Sequence, residues 1–444
     1  MKSFLNILDK LVLSKYFTWI FTTLLLFSLL ISFSLKINLS NILGINFFNE
    51  YLINFGILTK DGGVVNDLKT HWEYIISLKE NLNNLLILTL GDDTNLINYP
   101  LHNLIFSQLS FINSLNTYLI TVLIISLFLP YIFYLTLKNH FEDIDKSIII
   151  ILSSLIIILP AFQFSAIWGN NHNTALIFFS LGIFYFNFFV KDNFKSYKKL
   201  ILSLIFFSLA CYTKQYYSFF FIFLLVYLLN KIDSLKFILI LLFCILCAVP
   251  GIYFLILNPL LFFGMKQNIT NFNSAILVNA SIILVYLIPF IIQNILNNQD
   301  IKKLKLFYLF DKKIFLISLF ITLICSLNFN YVGNIGGGIF LKLSYVLLNN
   351  QYLIFPTAFL GIYFLLYFCQ KNISNYTLVI LLLTTFNTGY FIFQKYFEPM
   401  FYIIFLIFFD KSKIYKSIKK NNFVIIIYFC TYYLFTNYIY FLGL

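Results

Sequence analysis

Asp67 precedes His71 by four residues, so on a helix the two groups stand one turn apart on one face. A carboxylate at the mouth of a cavity can take the proton of a hydroxyl as that oxygen attacks an anomeric carbon, a role worth about 10² to 10⁴-fold. It can instead hold a divalent cation, Mg or Mn, that bridges a phosphate leaving group. It can also do no chemistry and cap the helix that follows it. His71 reads as a hydrogen-bonded interfacial imidazole or, with Asp67 and Glu73, as part of a metal site of undefined geometry. Asp92 and Asp93 follow Gly91, as turn residues do, yet adjacent carboxylates also suit a metal or an acceptor hydroxyl. Asp93, Tyr99 and His102, the last two within Tyr99-Pro100-Leu101-His102, are candidates for binding an acceptor or a sugar together with His71 and Glu398.

Two lysines complete the set. Lys214 lies in Cys211-Tyr212-Thr213-Lys214-Gln215-Tyr216, and Lys395 in Phe393-Gln394-Lys395-Tyr396-Phe397-Glu398-Pro399. Each is an isolated cation at the end of an apolar run, where an ionisable group is costly and usually faces water or the bundle interior. A lysine there, with Gln215 beside Lys214, can neutralise a phosphate as it departs. The competing readings are snorkelling to the interface and a Lys395–Glu398 ion pair one turn apart. Trp168 to Asn173 forms a polar connection that can line a sugar site, although tryptophan is common at this depth anyway.

These residues must be held by a mostly apolar chain. Of its 444 residues 61% are hydrophobic, and the mean hydropathy is +0.89. Apolar runs long enough to cross a ~30 Å hydrocarbon core recur from end to end. Lipid forces backbone groups to pair within the element, so the expected fold is all-α, a polytopic integral membrane protein of about thirteen transmembrane helices. The expected spans are 16–36, 116–137, 147–165, 174–190, 200–213, 216–230, 237–257, 275–297, 314–328, 351–369, 377–393, 399–410 and 423–443. The two short runs, 200–213 and 216–230, read as half-spans that meet at Thr213-Lys214-Gln215. The first run has no small-residue cleavage site after it and reads as an anchor.

Placing the N-terminus in the cytoplasm puts most of the 30 basic residues, all lysines, in cytoplasmic connections. Lys411, Lys413, Lys416, Lys419 and Lys420 form one such cluster. The net charge of +13 is then a topology signal and not a nucleic-acid footprint. The six cysteines all fall in or beside apolar runs, where filler outweighs metal or redox use, Cys244 and Cys247 included. The chain reads as a single membrane domain, 1–444, with two outside features. One is the first outside loop, 37–115, which holds Glu50, Asp61, Asp67, Glu73, Glu80, Asp92 and Asp93. The other is a Gly-rich loop and interfacial helix over 328–350. Within the first loop, spacing predicts helices over 71–90, with Asp67 just before it, and over 100–112, with Pro100 in its first turn.

The Asp67/His71 spacing, Tyr99-Pro100-Leu101-His102, Thr213-Lys214-Gln215 and Gln394-Lys395-Tyr396-Phe397-Glu398-Pro399 together resemble the GT-C superfamily. These are polytopic glycosyltransferases that use polyprenyl-phosphate sugars. The pattern is most similar to the dolichyl-phosphate-glucose transferases that finish the N-glycan precursor, and to bacterial transferases of similar plan. The resemblance implies a catalytic role for Asp67 and donor-phosphate contacts for Lys214 and Lys395. It departs in having lysine where arginine is common, one proline at Pro100 where two are common, and no acidic residue directly after Asp67. The expectation is transfer of one sugar from a polyprenyl-phosphate donor to a glycan or glycolipid acceptor at the outer face of a membrane, the bacterial inner membrane being the expected site. A lipid-linked glycan flippase or transporter would instead show inverted repeats and broken helices. A glycan polymerase would place its large outside loop later in the chain.

Overall fold

The computed structural model describes residues 9–42, 58–59, 62–83, 100–229, 231–257, 272–297, 311–331, 336–384, 392–420 and 422–441. They are helical apart from a two-residue antiparallel ladder, β1 (Leu58–Thr59) against β2 (Gly62–Gly63). The expected all-α class therefore holds. The chain divides into two compact units. The amino-terminal unit comprises Lys10–Gln215 and Ile426–Leu444, and the carboxy-terminal unit comprises Met1–Asp9 and Tyr216–Ile425.

In the amino-terminal unit, α1 (Lys15–Ile42) is followed by α2 (Val64–Glu80), α3 (Leu101–Ser107), α4 (Leu115–Ser126) and α5 (Phe128–His140). Next come α6 (Lys146–Ser154), a 3₁₀ turn (Leu155–Ile158), α7 (Pro160–Trp168), α8 (His172–Lys191) and α9 (Tyr197–Thr213). The α8 and α9 pair forms the closest packing of the unit. It does so over Gly182, whose carbonyl accepts from Ser203 Oγ at 2.8 Å and whose missing side chain leaves room for the Phe207 ring.

The carboxy-terminal unit begins with a 3₁₀ turn (Gln215–Ser218, entered from the preceding unit), α10 (Phe219–Leu228), α11 (Ser234–Leu257) and α12 (Phe272–Asn297). It continues with α13 (Lys312–Leu327), α14 (Gly338–Leu348), α15 (Ile354–Phe368), α16 (Ile373–Thr384), α17 (Met400–Phe408), α18 (Lys411–Ile418) and the start of α19 (Phe423–Phe441). Helix α12 is its axis, buried along most of its length and packed on α15, α18 and α16. A Cβ on Gly361 of α15 would come within 2.0 Å of the Ala280 carbonyl oxygen of α12, so only glycine lets these backbones meet.

Among the described residues, five helices are long and apolar enough to cross a membrane: Lys15–Ser34, Leu115–His140, His172–Lys191, Ser234–Phe254 and Phe272–Asn297. A sixth span arises if Lys146–Ile158 and Pro160–Trp168, bent by 60° at their junction, count as one. The span expected over 147–165 falls on this bent pair, because Pro160 lacks an N–H and begins a new helix. Several other expected spans are apolar helices of only 10–17 residues. The break at Thr213-Lys214-Gln215 is present as expected, with α9 ending at Thr213.

The first loop differs in detail. Helix α2 begins at Val64, directly after the ladder, not at His71, so Asp67 sits inside its first turn and is not its cap. Helix α3 ends at Ser107 and Pro100 precedes it at the cap position. Asp92, Asp93 and Tyr99, like Glu50 and Asp61, lie outside the described residues. Within the 328–350 stretch, where a Gly-rich loop and a helix are expected, the structure places helix α14.

Candidate functional site

Helix α2 is amphipathic: Leu68, Ile75 and Leu78 are buried, and Lys69, Glu73 and Lys79 face outward. Three polar attachments fix it. Near its start, Asn170 Nδ2 donates to Asp67 Oδ2 at 3.2 Å. In its middle, His71 Nδ1 meets Asn103 Oδ1 of α3 at 2.9 Å. Near its end, Lys79 Nζ donates to the carbonyls of Leu109, at 3.2 Å, and Ile112. Glu73 lies on the other face in an exposed 3.8 Å pair with Lys69, which removes it from any grouping with Asp67 and His71.

The hydrogens of this site follow by elimination. Asn103 Oδ1 only accepts, so His71 carries its proton on Nδ1 and its lone pair on Nε2. No hydrogen bond to Nε2 occurs among the described residues. The imidazole is kept neutral: burial, then the positive charge of Lys214, push its pKa down to about 4, against the Asn103 bond and the Asp67 charge. Lys214 and Asp67 thus both act electrostatically on His71. Lys214 is itself buried, in extended backbone at the end of α9, and Asn171 Nδ2 reaches the adjoining Thr213 carbonyl at 3.4 Å.

Beneath His71 lies a second imidazole, His102, its ring centroid 5.2 Å away. Tyr118 Oη donates to the Gly169 carbonyl, so it must accept from His102 Nε2, 2.8 Å away. His102 Nδ1 therefore accepts from Thr174 Oγ1 at 2.9 Å. Both nitrogens are committed, and burial, with His71 and Lys214 nearby, holds the pKa well below the ordinary histidine value. His102 is thus a neutral member of a hydrogen-bonded chain, Thr174 to His102 to Tyr118 to Gly169.

That chain ends on the turn that carries Asn170. Gly169 is left-handed, with φ +67°, and a Cβ there would stand 2.7 Å from Tyr118 Cε1, so the turn and the tyrosine require each other. The Asn170 amide is oriented from its other end, because Oδ1 accepts from the His172 backbone N–H at 3.1 Å and leaves Nδ2 to face Asp67. Ser165 Oγ closes the turn by donating to the Asn170 carbonyl at 2.8 Å.

Asp67, His71, His102, Lys214 and Gln215 thus belong to the amino-terminal unit, and Lys395 and Glu398 to the carboxy-terminal one. There Glu398, only 2% exposed, accepts from Tyr286 Oη at 2.7 Å, and Gln394 Nε2 donates to that same Oη at 3.2 Å. Gln394 Oε1 in turn accepts the Ile339 N–H at 3.1 Å, tying this network to the first turn of α14. Lys395 Nζ stands over the Phe393 and Tyr396 rings at 5.2 and 5.9 Å. Asn170, Asn103, Tyr118 and Thr174 were not singled out by spacing. In a chain this rich in asparagine and tyrosine their types carry no signal, and only Asn170's place in the polar connection after Trp168 pointed to it.

No family model matches the chain, and no curated protein or solved structure aligns significantly with it. The residues therefore carry the functional reading by themselves. Among the described residues no three His, Cys, Asp or Glu side chains gather to hold a metal ion.

Proposed function

We propose that this chain is a membrane glycosyltransferase of GT-C-like layout, with about thirteen membrane-crossing segments and a cytoplasmic N-terminus. It moves a sugar from a polyprenyl phosphate to a glycan or glycolipid acceptor on the opposite face of a bacterial inner membrane. The observation that carries this reading is the convergence on one amphipathic helix of an oriented carboxylate, Asp67, a neutral imidazole, His71, and the buried charge of Lys214.

In the proposed step the acceptor hydroxyl gives its proton to the Asp67 carboxylate as its oxygen bonds to the anomeric carbon. The bond from that carbon to the phosphate oxygen breaks, and its electron pair leaves with the phosphate. The anomeric configuration inverts. Lys214, with Gln215 beside it, meets the charge that develops on the leaving group. His71 Nε2 accepts a hydrogen bond from a sugar hydroxyl. A divalent cation held by Asp67 would instead bridge the phosphate leaving group.

The test is turnover of radiolabelled polyprenyl-phosphate sugars by purified, reconstituted protein, with and without EDTA. Turnover that survives EDTA would leave the proton to Asp67 alone, turnover lost with EDTA would assign a cation there, and absence of turnover across the donors sinks the reading. The 60° break between α6 and α7 favours one second reading, a transporter of lipid-linked glycans. Movement of labelled lipid across the vesicle bilayer without any change in its sugar would select it.

A further inference from the structure

Five lysines fall between Lys411 and Lys420, and the structure shows how they are held. One end of the carboxy-terminal unit collects the end of α12, the start of α13, the end of α15, the start of α16 and all of α18. The joints are specific. Asn297, the last residue of α12, donates through Nδ2 to the carbonyls of Lys416 and Ser417 at 2.8 and 3.2 Å. The Asp410 N–H donates to the Phe368 carbonyl at 2.8 Å, Asn375 Nδ2 to the Phe408 carbonyl at 2.9 Å, and the Asp311 N–H to Tyr363 Oη at 2.9 Å.

Helix α18 is fixed on this end as a short amphipathic rod. Ile414, Ser417 and Ile418 are buried, with α18 packed on α12. Lys413 is turned into the unit: Nζ donates to the Tyr367 carbonyl and lies 4.5 Å from that ring. Lys411, Lys416, Lys419 and Lys420 face outward, as do Lys371, Lys312 and Lys313 on the neighbouring segments.

The described carboxylates at this end are engaged by backbone. Asp311 Oδ1 accepts from the N–H groups of Lys313 and Ile314, capping α13. Asp410 Oδ1 accepts from those of Ser412 and Lys413, capping α18, with Lys413 Nζ at 3.8 Å from its other oxygen. Asp9 Oδ1 accepts from the Asn422 N–H at 2.9 Å. They complement helix dipoles and a turn, and the outward lysines keep a large surplus of positive charge. A topology signal needs only lysines in a connection; it does not need two of them set on a short helix held at both ends, with two more directly after it.

We propose that this end of the carboxy-terminal unit binds the headgroups of acidic phospholipids in the leaflet it faces, with α18 as the binding ledge. Polybasic segments beside apolar helices gain about 5-fold in affinity per lysine from an anionic surface. Four outward lysines, Lys411, Lys416, Lys419 and Lys420, lie between two apolar helices, α17 and α19, so a phosphate surface beside those helices would meet them together. The proposal is independent of the glycosyltransferase reading, and so is its test.

The experiment is retention of phosphatidylglycerol over phosphatidylcholine by the full chain. The protein is taken up from mixed vesicles into detergent, and bound lipid is counted by native mass spectrometry. Wild-type protein should enrich phosphatidylglycerol, and the Lys411→Gln, Lys416→Gln, Lys419→Gln, Lys420→Gln variant should lose at least about 10-fold of that enrichment. Lys342→Gln, on α14 and away from α18, should change nothing. The enrichment should also collapse in wild-type protein as ionic strength rises from ~0.01 to ~1 M, where screening shortens from ~30 to ~3 Å. That arm stands even if the quadruple variant fails to fold. Soluble glycerol phosphate should not displace the lipid; displacement by it would mean a free-phosphate site and would overturn the proposal. Equal retention of the two lipids, or salt-independent enrichment, would overturn it as well.

Discussion

Asp67 and Glu398 are each set against a polar donor near the edge of an apolar bundle, yet they are used differently. Glu398 is sealed: it accepts the Tyr286 hydroxyl, which itself accepts from Gln394, which in turn holds the N–H of Ile339. That closed sequence spends the carboxylate on joining α12, the 392–399 segment and α14. Asp67 is half-buried on an amphipathic helix, steered by an amide whose orientation the backbone sets. The difference teaches that an acidic residue near a membrane surface is not a site by virtue of its charge. What its oxygens accept from, and whether a substrate can reach them, decide its role.

The largest expected effect breaks or makes that comparison. Asp67→Asn should lower sugar transfer by about 10² to 10⁴-fold with normal membrane insertion. Glu398→Gln should leave transfer nearly intact and lower thermal stability by about 1.5–3 kcal/mol. Reversed outcomes, read by reconstituted turnover and by thermal unfolding, would exchange the two roles.

A second measurement uses pH. His71 has a folded pKa near 4 against 6.5 when unfolded, so between these values the unfolded chain binds the extra proton. The stability that depends on a neutral His71 is complete above pH 6.5 and is lost as pH falls towards 4. The loss is on the order of 3 kcal/mol, with His102 acting in the same direction. Melting curves from pH 7.5 down to pH ~4.5 should show this slope, and His71→Gln should flatten it. An unchanged slope in the variant would place the sensitivity elsewhere.

Asn170→Ala should cost transfer roughly 10- to 100-fold, because the charge-assisted bond that aims Asp67 is worth about 1.5–3 kcal/mol. Asn170→Asp should be worse, by setting two carboxylates against each other. The smallest effect is Lys69→Gln, which removes an exposed pair with Glu73 and should move stability by less than about 1 kcal/mol. A large loss there would mean that the outer face of α2 does more than meet water.

The sequence made the helices legible because apolar runs report burial directly, and the break at Lys214 showed itself as polar residues between two such runs. It could not say whether a run is buried by lipid or by protein. Short α15 to α17 look like spans by composition alone, and several expected crossings are helices too short to qualify by themselves. The start of α2 was missed because Gly62 and Gly63 pair with Leu58 and Thr59, ending the connection earlier than the apolar stripe suggests. Asp67, His71 and Lys214 were visible as isolated charges in an apolar chain. The Thr174–His102–Tyr118 chain was not, because its members lie far apart in sequence and only folding brings them into line.

The junction at Pro160 has a geometric outcome for whatever approaches Asn170. A nine-residue rod rises roughly 14 Å, and tilting it by 60° advances its tip only about 7 Å along the preceding axis while carrying it about 12 Å across. The turn at its tip is therefore an overhang, displaced sideways from the helix that leads to it.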